Sequence, residues 1–161
     1  MGIVASYVML DDGALDRLLA GPESDGWDDF EYGDDEMEDL DKFWDALHVA
    51  LTGVTTLDAN DGDPLSQAIL GVRELDEDNE SEFVAVIGKG DVPRILAALR
   101  SVDIDGTIAH LNPSEKVREA TYPDGIWDLG LEGVLPKVFG LLVAFYERAA
   151  AAGANVAIGM E

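Results

Sequence analysis

"LEGVLPKVFGLLVAFYERAAAAGANVAIGM", residues 131–160, decides the fold class. Val134/Leu135, Val138, Leu141/Leu142, Phe145 and Ala149 recur every three to four residues, which predicts one amphipathic helix. Pro136 fits its first turn and Gly153 its end. The period then changes. "ANVAIGM" is short, apolar and β-branched, and reads as a strand. A long helix feeding directly into a strand implies a sheet with a helix laid across it.

Working outward, "GIVASYVML" (2–10) and "EFVAVIGKG" (82–90) read as two further strands. Between them lie short helical patterns. "DDGALDRLLAG" follows the first strand, with Asp11 or Asp12 as its cap and Gly21-Pro22 as its stop. "DPLSQAILG" has Asp63 as N-cap, Pro64 at the first position and Gly71 at the close. "GDVPRILAALRSV" is capped by Asp91, and a short helix follows Ser114. "IDGTIAHLNPSEKVREATYPDGIWD" reads as irregular before that point, with His110 expected to cap a turn. Three strands and more numerous helices predict an α+β fold. It is one compact domain over residues 1–161, with a small sheet of about three strands packed by several helices, including the long C-terminal one.

Length and composition agree. A chain of 161 residues with 47% hydrophobic content suits one core and excludes a disordered chain. The charge is the strongest compositional signal: 34 acids against 10 bases, a net of −24. Nucleic-acid binding requires Lys and Arg to neutralise phosphates, so this surface disfavours it. Anionic membrane surfaces are disfavoured for the same reason. A basic protein partner would be steered toward such a surface, although acids also serve solubility alone. Cysteine is absent, which removes disulfides, thiolate metal sites and cysteine nucleophiles. No cofactor is expected. The apolar N-terminus lacks a basic flank and is followed at once by acids, so a cytoplasmic location is expected.

The acids concentrate in an excursion at 22–38. Residues 23–41 carry eleven acids in nineteen positions, interrupted by Trp27, Phe30 and Tyr32. Such aromatics predict an ordered excursion that packs them inward. The order of acids does not match a calcium-binding EF-hand loop.

"DLDKFWDALHVALTG" (39–53) mixes core and chemistry. At about 100° per residue, Leu40, Trp44, Leu47 and Leu51 share one stripe, which must face the core, with Phe43 at its edge. Asp41, Asp45, His48 and Thr52 form an adjacent stripe, placing His48 at a border between buried and polar surface. Lys42, Ala46 and Val49 face away. Asp45, one turn below His48, is placed to hold one ring nitrogen and leave the other to a cavity. Ser66 is the nearest serine for a nucleophilic triad with His48 and Asp45. It lacks the G-x-S-x-G setting, and a hydroxyl in a helix's first turn has a structural use, so the triad is disfavoured. Two distant histidines without cysteine also disfavour a metal site.

Taken together in order, "MGIVASYVML", "DLDKFWDALHVALTG", "DPLSQAILG", "TYPDGIW" and "FYERAAAAGANVAIGM" are similar to the YfbM-like bacterial family of small proteins of unknown function. The most specific part is Asp41-Lys42, Trp44, Leu47-His48 and Leu51-Thr52-Gly53, followed by Asp63-Pro64-Leu65. The resemblance implies a single-domain α+β fold and brings no catalytic residues or cofactor. It implies that Lys42, Trp44, His48 and Asp63 belong to one recurring pattern. Asp63 and Trp44 have full structural explanations as a cap and a core aromatic; His48 and Lys42 do not.

Three functions follow as expectations. The first is a non-enzymatic acidic binding or regulatory module for a basic protein. The second is a small-molecule binding protein or enzyme with a pocket beside His48, formed by Asp45, Trp44, Lys42, Tyr122 and Trp127. The third is a self-assembling structural domain.

Overall fold

The computed structural model describes residues 2–20, 36–75 and 83–161. Most of the acidic excursion, with the question of calcium there, and much of the acidic loop before Phe83 lie outside the described residues. In the described residues the sheet has five antiparallel strands rather than three. These are β1 (Ala5–Leu10), β2 (Met37–Asp39), β3 (Arg73–Leu75), β4 (Phe83–Ile87) and β5 (Asn155–Met160), in the spatial order β2-β1-β5-β4-β3. The three expected strands are the three central ones. The two additions are edge strands of three residues each, "MED" and "REL". Their charged sequences carry no alternating pattern, and only pairing to a formed neighbour makes them strands.

Register places Glu38, Tyr7, Ile158, Ala85 and Glu74 in one row across the sheet. Tyr7, Ile158 and their alternating neighbours face the main core, while Val8, Leu10, Val86 and Ala157 face a smaller cluster on the opposite side. α1 (Asp12–Leu19), capped by the Asp11 carboxylate, packs Ala14, Leu15 and Leu18 there.

On the main face lie α2 (Trp44–Thr52), α3 (Pro64–Leu70), α4 (Val92–Arg100), α5 (Ile104–Ala109) and, after α6 (Glu115–Ala120), which has no buried residue, α7 (Leu135–Ala152). The long α7 buries Leu135, Val138, Leu142, Phe145 and Ala149, then ends on Gly153 in the left-handed region at φ 60°. α5 occupies part of the stretch expected to be irregular. The Asp103 carboxylate caps it by accepting from Gly106 N at 3.2 Å. A Cβ at Gly106 would meet that carboxylate and displace it from the cap. A central glycine in so short a helix hides it from propensity reasoning. His110 Nδ1 bonds Gly106 O at 2.8 Å and closes α5. At α4, Asp91 occupies the cap position without a side-chain cap bond; its carboxylate meets Arg94 at 3.4 Å instead.

Candidate functional site

The segment at 39–53 is not one regular helix. Asp41 adopts φ +51°, a conformation that aspartate tolerates better than most residues. The Asp39 carboxylate accepts from Asp41 N at 2.6 Å, and the Asp41 carboxylate accepts from Lys42 N at 2.8 Å. These bonds hold one 3₁₀ turn, Asp41–Phe43, before α2 begins at Trp44.

Once begun, α2 is buried on nearly every side. Leu47 and Ala46 are both 0% exposed and Val49 is 1% exposed, so Ala46 and Val49 do not face away. α2 packs against α3, α5 and α7. Its sequence is apolar almost all round, as an interior helix requires. Asp45 and His48 therefore face protein, while Asp41 at one end of their stripe is exposed and Thr52 at the other is half-buried.

His48 is fully buried. Its surroundings are built from the C-terminus of α2. Gly53, at φ 85°, turns the chain after the last helical residue. Thr52 Oγ1 donates to His48 O at 2.8 Å and accepts from Val54 N at 3.3 Å, fixing that turn. The carbonyl of Val54 then lies 2.7 Å from His48 Nδ1. A carbonyl can only accept, so Nδ1 carries the proton. In the neutral ring Nε2 is then an acceptor, and the Ser66 hydroxyl donates to it at 2.8 Å. Burial holds the imidazole below its ordinary value of 6.5, against smaller upward pulls from the Val54 carbonyl and the charges of Asp45 and Asp63.

Ser66 is positioned with equal care. Asp63 Oδ1 accepts from Leu65 N at 2.9 Å and Pro64 opens α3. At the other end, Tyr7 Oη from β1 donates to Ile69 O at 2.9 Å, and Tyr146 Oη from α7 donates to Ala68 O at 2.6 Å. Two buried tyrosines thus satisfy carbonyls in the last turn of α3 and tie it to sheet and helix. Desolvation pushes both phenols up, so they remain donors. Gly71 closes the helix at φ +83°.

One side of Ser66 faces His48; the residue also lines a cleft of about 590 Å³ between residues 59 and 74. Asn60, Asp61, Gln67, Arg73 and Glu74 share its lining. The carboxamide oxygen of Gln67 is buried and has no hydrogen-bond partner among the described residues. Amide, carboxylate and guanidinium groups suit a small polar ligand carrying both charges. Among the described residues no three His, Asp or Glu side chains come together as a metal site would require.

The other residues singled out from sequence fall elsewhere. Asp45 does not hold His48. It is 2% exposed, and its two carboxylate oxygens accept from Thr56 N and Tyr122 N, each at 2.8 Å. It joins two loops that are distant in sequence. Trp44 and Tyr122 stack with ring centres 5.5 Å apart. Both grip the N-terminal segment: Trp44 Nε1 donates to Ile3 O at 3.0 Å, and Ile3 N donates to Tyr122 Oη at 2.5 Å. Lys42 lies 5.9 Å from the Phe43 ring centre, and Trp127 lies beneath the Arg118 guanidinium at 5.8 Å. None of these five lines the cleft beside Ser66. The carbonyl of Val54 and the amide of Gln67 had no signal in the sequence. A backbone carbonyl carries no residue type, and glutamine on a short helix is unremarked.

The fold and site define a small α+β domain with a buried histidine–serine pair beneath a polar cleft. The chain belongs to the family described as a domain of unknown function, DUF1877, whose profile matches residues 1–158. It is 30% identical to Protein YfbM of Escherichia coli (strain K12) over 142 residues, 84% of this chain and 81% of that protein. It is also similar in fold to the crystal structure of YfbM, a protein of unknown function from Escherichia coli. The TM-score is 0.74 at 24% identity, over 98% of this chain and 99% of the other. No described helix is long and apolar enough to cross a membrane.

Proposed function

We propose that the chain binds a small polar molecule in the cleft over Ser66. One observation carries the reading: Ser66, 3% exposed, is among the residues lining the cleft, and its hydroxyl donates to a buried, neutral His48. A polar floor fixed by a buried partner presents the same geometry to every ligand, which reduces the ordering cost of binding. Asp61 and Glu74 suit an ammonium group and Arg73 a carboxylate, so the ligand class is zwitterionic and of amino-acid size. Native mass spectrometry of untagged protein tests for a co-purifying mass, and thermal melts with each free amino acid test affinity. A bound mass, or a melting temperature that rises with concentration, is the expected result. The absence of both would sink the reading.

The charge favours a second reading. Acids outnumber Lys and Arg by 34 to 10, a net charge of −24. Such a surface supports docking of a basic protein, with binding that weakens steeply as salt rises. Low-salt capture from the cells that make the protein should recover a basic partner which 0.5 M NaCl releases. Recovery that ignores salt would argue against charge as the recognition element.

A further inference from the structure

We infer that Ser66 is a nucleophile, with His48 as its general base, acting on a small acyl ester held in the cleft. The inference rests on the ligand-site reading above and adds a reaction to it. Three features of the pair support it. The hydroxyl–imidazole distance is 2.8 Å, within reach for proton transfer. The tautomer is the productive one, because Val54 O fixes the proton on Nδ1 and leaves Nε2 to accept. The ring is held neutral by burial among α2, α3 and the turn after Gly53, and the ionisable groups acting on it are Asp45 and Asp63. Ser66 also borders the cleft with 3% of its surface, so the approach of an acyl carbon to the pair is from that side.

The step balances without further reagents. As Ser66 Oγ bonds the acyl carbon, its proton passes to His48 Nε2. The tetrahedral intermediate collapses, the bond to the leaving alkoxide breaks, and Nε2 returns the proton to give the alcohol. Water then attacks the acyl-serine by the same route, releasing the carboxylic acid and restoring Ser66. The Val54 carbonyl dipole stands where other serine sites use a carboxylate. It orients the ring and stabilises the imidazolium less than a full charge would. With Arg73 on the ligand's carboxylate, Gln67, on the same cleft, is the side-chain donor left to the oxyanion.

The full chain is treated with a fluorophosphonate probe and read by intact-mass and peptide mass spectrometry. One adduct on Ser66 is expected. It should be absent in Ser66→Ala and slower by on the order of 100-fold in His48→Gln. Circular dichroism shows whether each variant folds. Ser66→Cys supplies an independent arm: iodoacetamide should alkylate Cys faster with His48 present than in the His48→Gln double variant. An unlabelled Ser66 in the folded wild type, together with a Cys thiol indifferent to His48, overturns the proposal. Label at equal rate in wild type and His48→Gln also overturns it. A co-purifying ligand with neither an adduct nor a His48-dependent thiol leaves the cleft as a binding site and removes the nucleophile. An adduct without a ligand does the reverse.

Discussion

His48 is a buried imidazole held between the carbonyl of Val54 and the hydroxyl of Ser66. Helical spacing puts Asp45 one turn away and suggests a carboxylate–imidazole pair, yet both carboxylate oxygens are committed to the backbone amides of Thr56 and Tyr122. Seventy-seven residues separate Asp45 from Tyr122. No local pattern carries that contact, and the same is true of the Val54 carbonyl that takes the aspartate's expected place. Ser66 was legible as a nearby hydroxyl, because Asp63 and Pro64 locate its helix. Its bond to His48 was hidden because α2 and α3 meet only after folding. The buried neutral ring has a consequence for stability. The unfolded imidazole titrates near 6.5 and the folded one lower, so below 6.5 the unfolded state binds more protons. His48 therefore contributes its full share of stability above that pH, and the share is lost as pH falls toward the folded value. Urea unfolding at pH 7.5 and 5.5 should show wild type losing more stability than His48→Gln. Equal losses in the two proteins would show that the ring is not held neutral.

At the scale of elements, α3 is the part on which the site depends. It has only seven residues, too few to be stable alone. Its order comes from outside: the Asp63 cap at one end and the hydroxyls of Tyr7 and Tyr146 at the other. Tyr146→Phe leaves Ala68 O unpaired in the core and should cost about 1–3 kcal/mol by urea unfolding. A cost below the error of the measurement would mean that water or a shifted donor satisfies the carbonyl. Gly71 is the sharper case. Its φ of +83° already favours glycine, and an added Cβ would lie 2.7 Å from Ala85 Cβ on β4. Gly71→Ala should cost about 2–4 kcal/mol, combining backbone strain with overpacking. Gly62, at φ +86° with open space around it, supplies the control. Gly62→Ala bears a positive-φ cost without the contact, so a loss at 71 no larger than at 62 would mean that neither the contact with β4 nor the ψ of 177° at Gly71 adds to the cost. Helices with caps and long periodicity were readable from sequence. The three-residue edge strands were not, since they are strands only by virtue of their partners, and α5 was missed for its glycine.

At the scale of the whole molecule, charge sets the balance. Four ion pairs among the described residues are at least partly exposed, and pairs of that kind contribute little. With a net of −24, folding brings like charges closer than the unfolded chain holds them, so self-repulsion opposes the compact state. Added salt screens it. The Debye length falls from about 30 Å at 0.01 M to about 8 Å at 0.15 M, which is shorter than most distances across such a domain. The melting temperature should therefore rise between those two concentrations of NaCl, and rise equally in KCl, since screening does not distinguish the cations. A flat or falling melting temperature would mean that the acids are distributed or hydrated so as not to repel. The same range of salt acts in the opposite sense on a basic partner, whose attraction is screened. If salt stabilises the fold while releasing a bound protein, one charge distribution accounts for both. If salt stabilises the fold and no partner responds, the acids serve solubility, and the cleft at Ser66 is where binding should be sought.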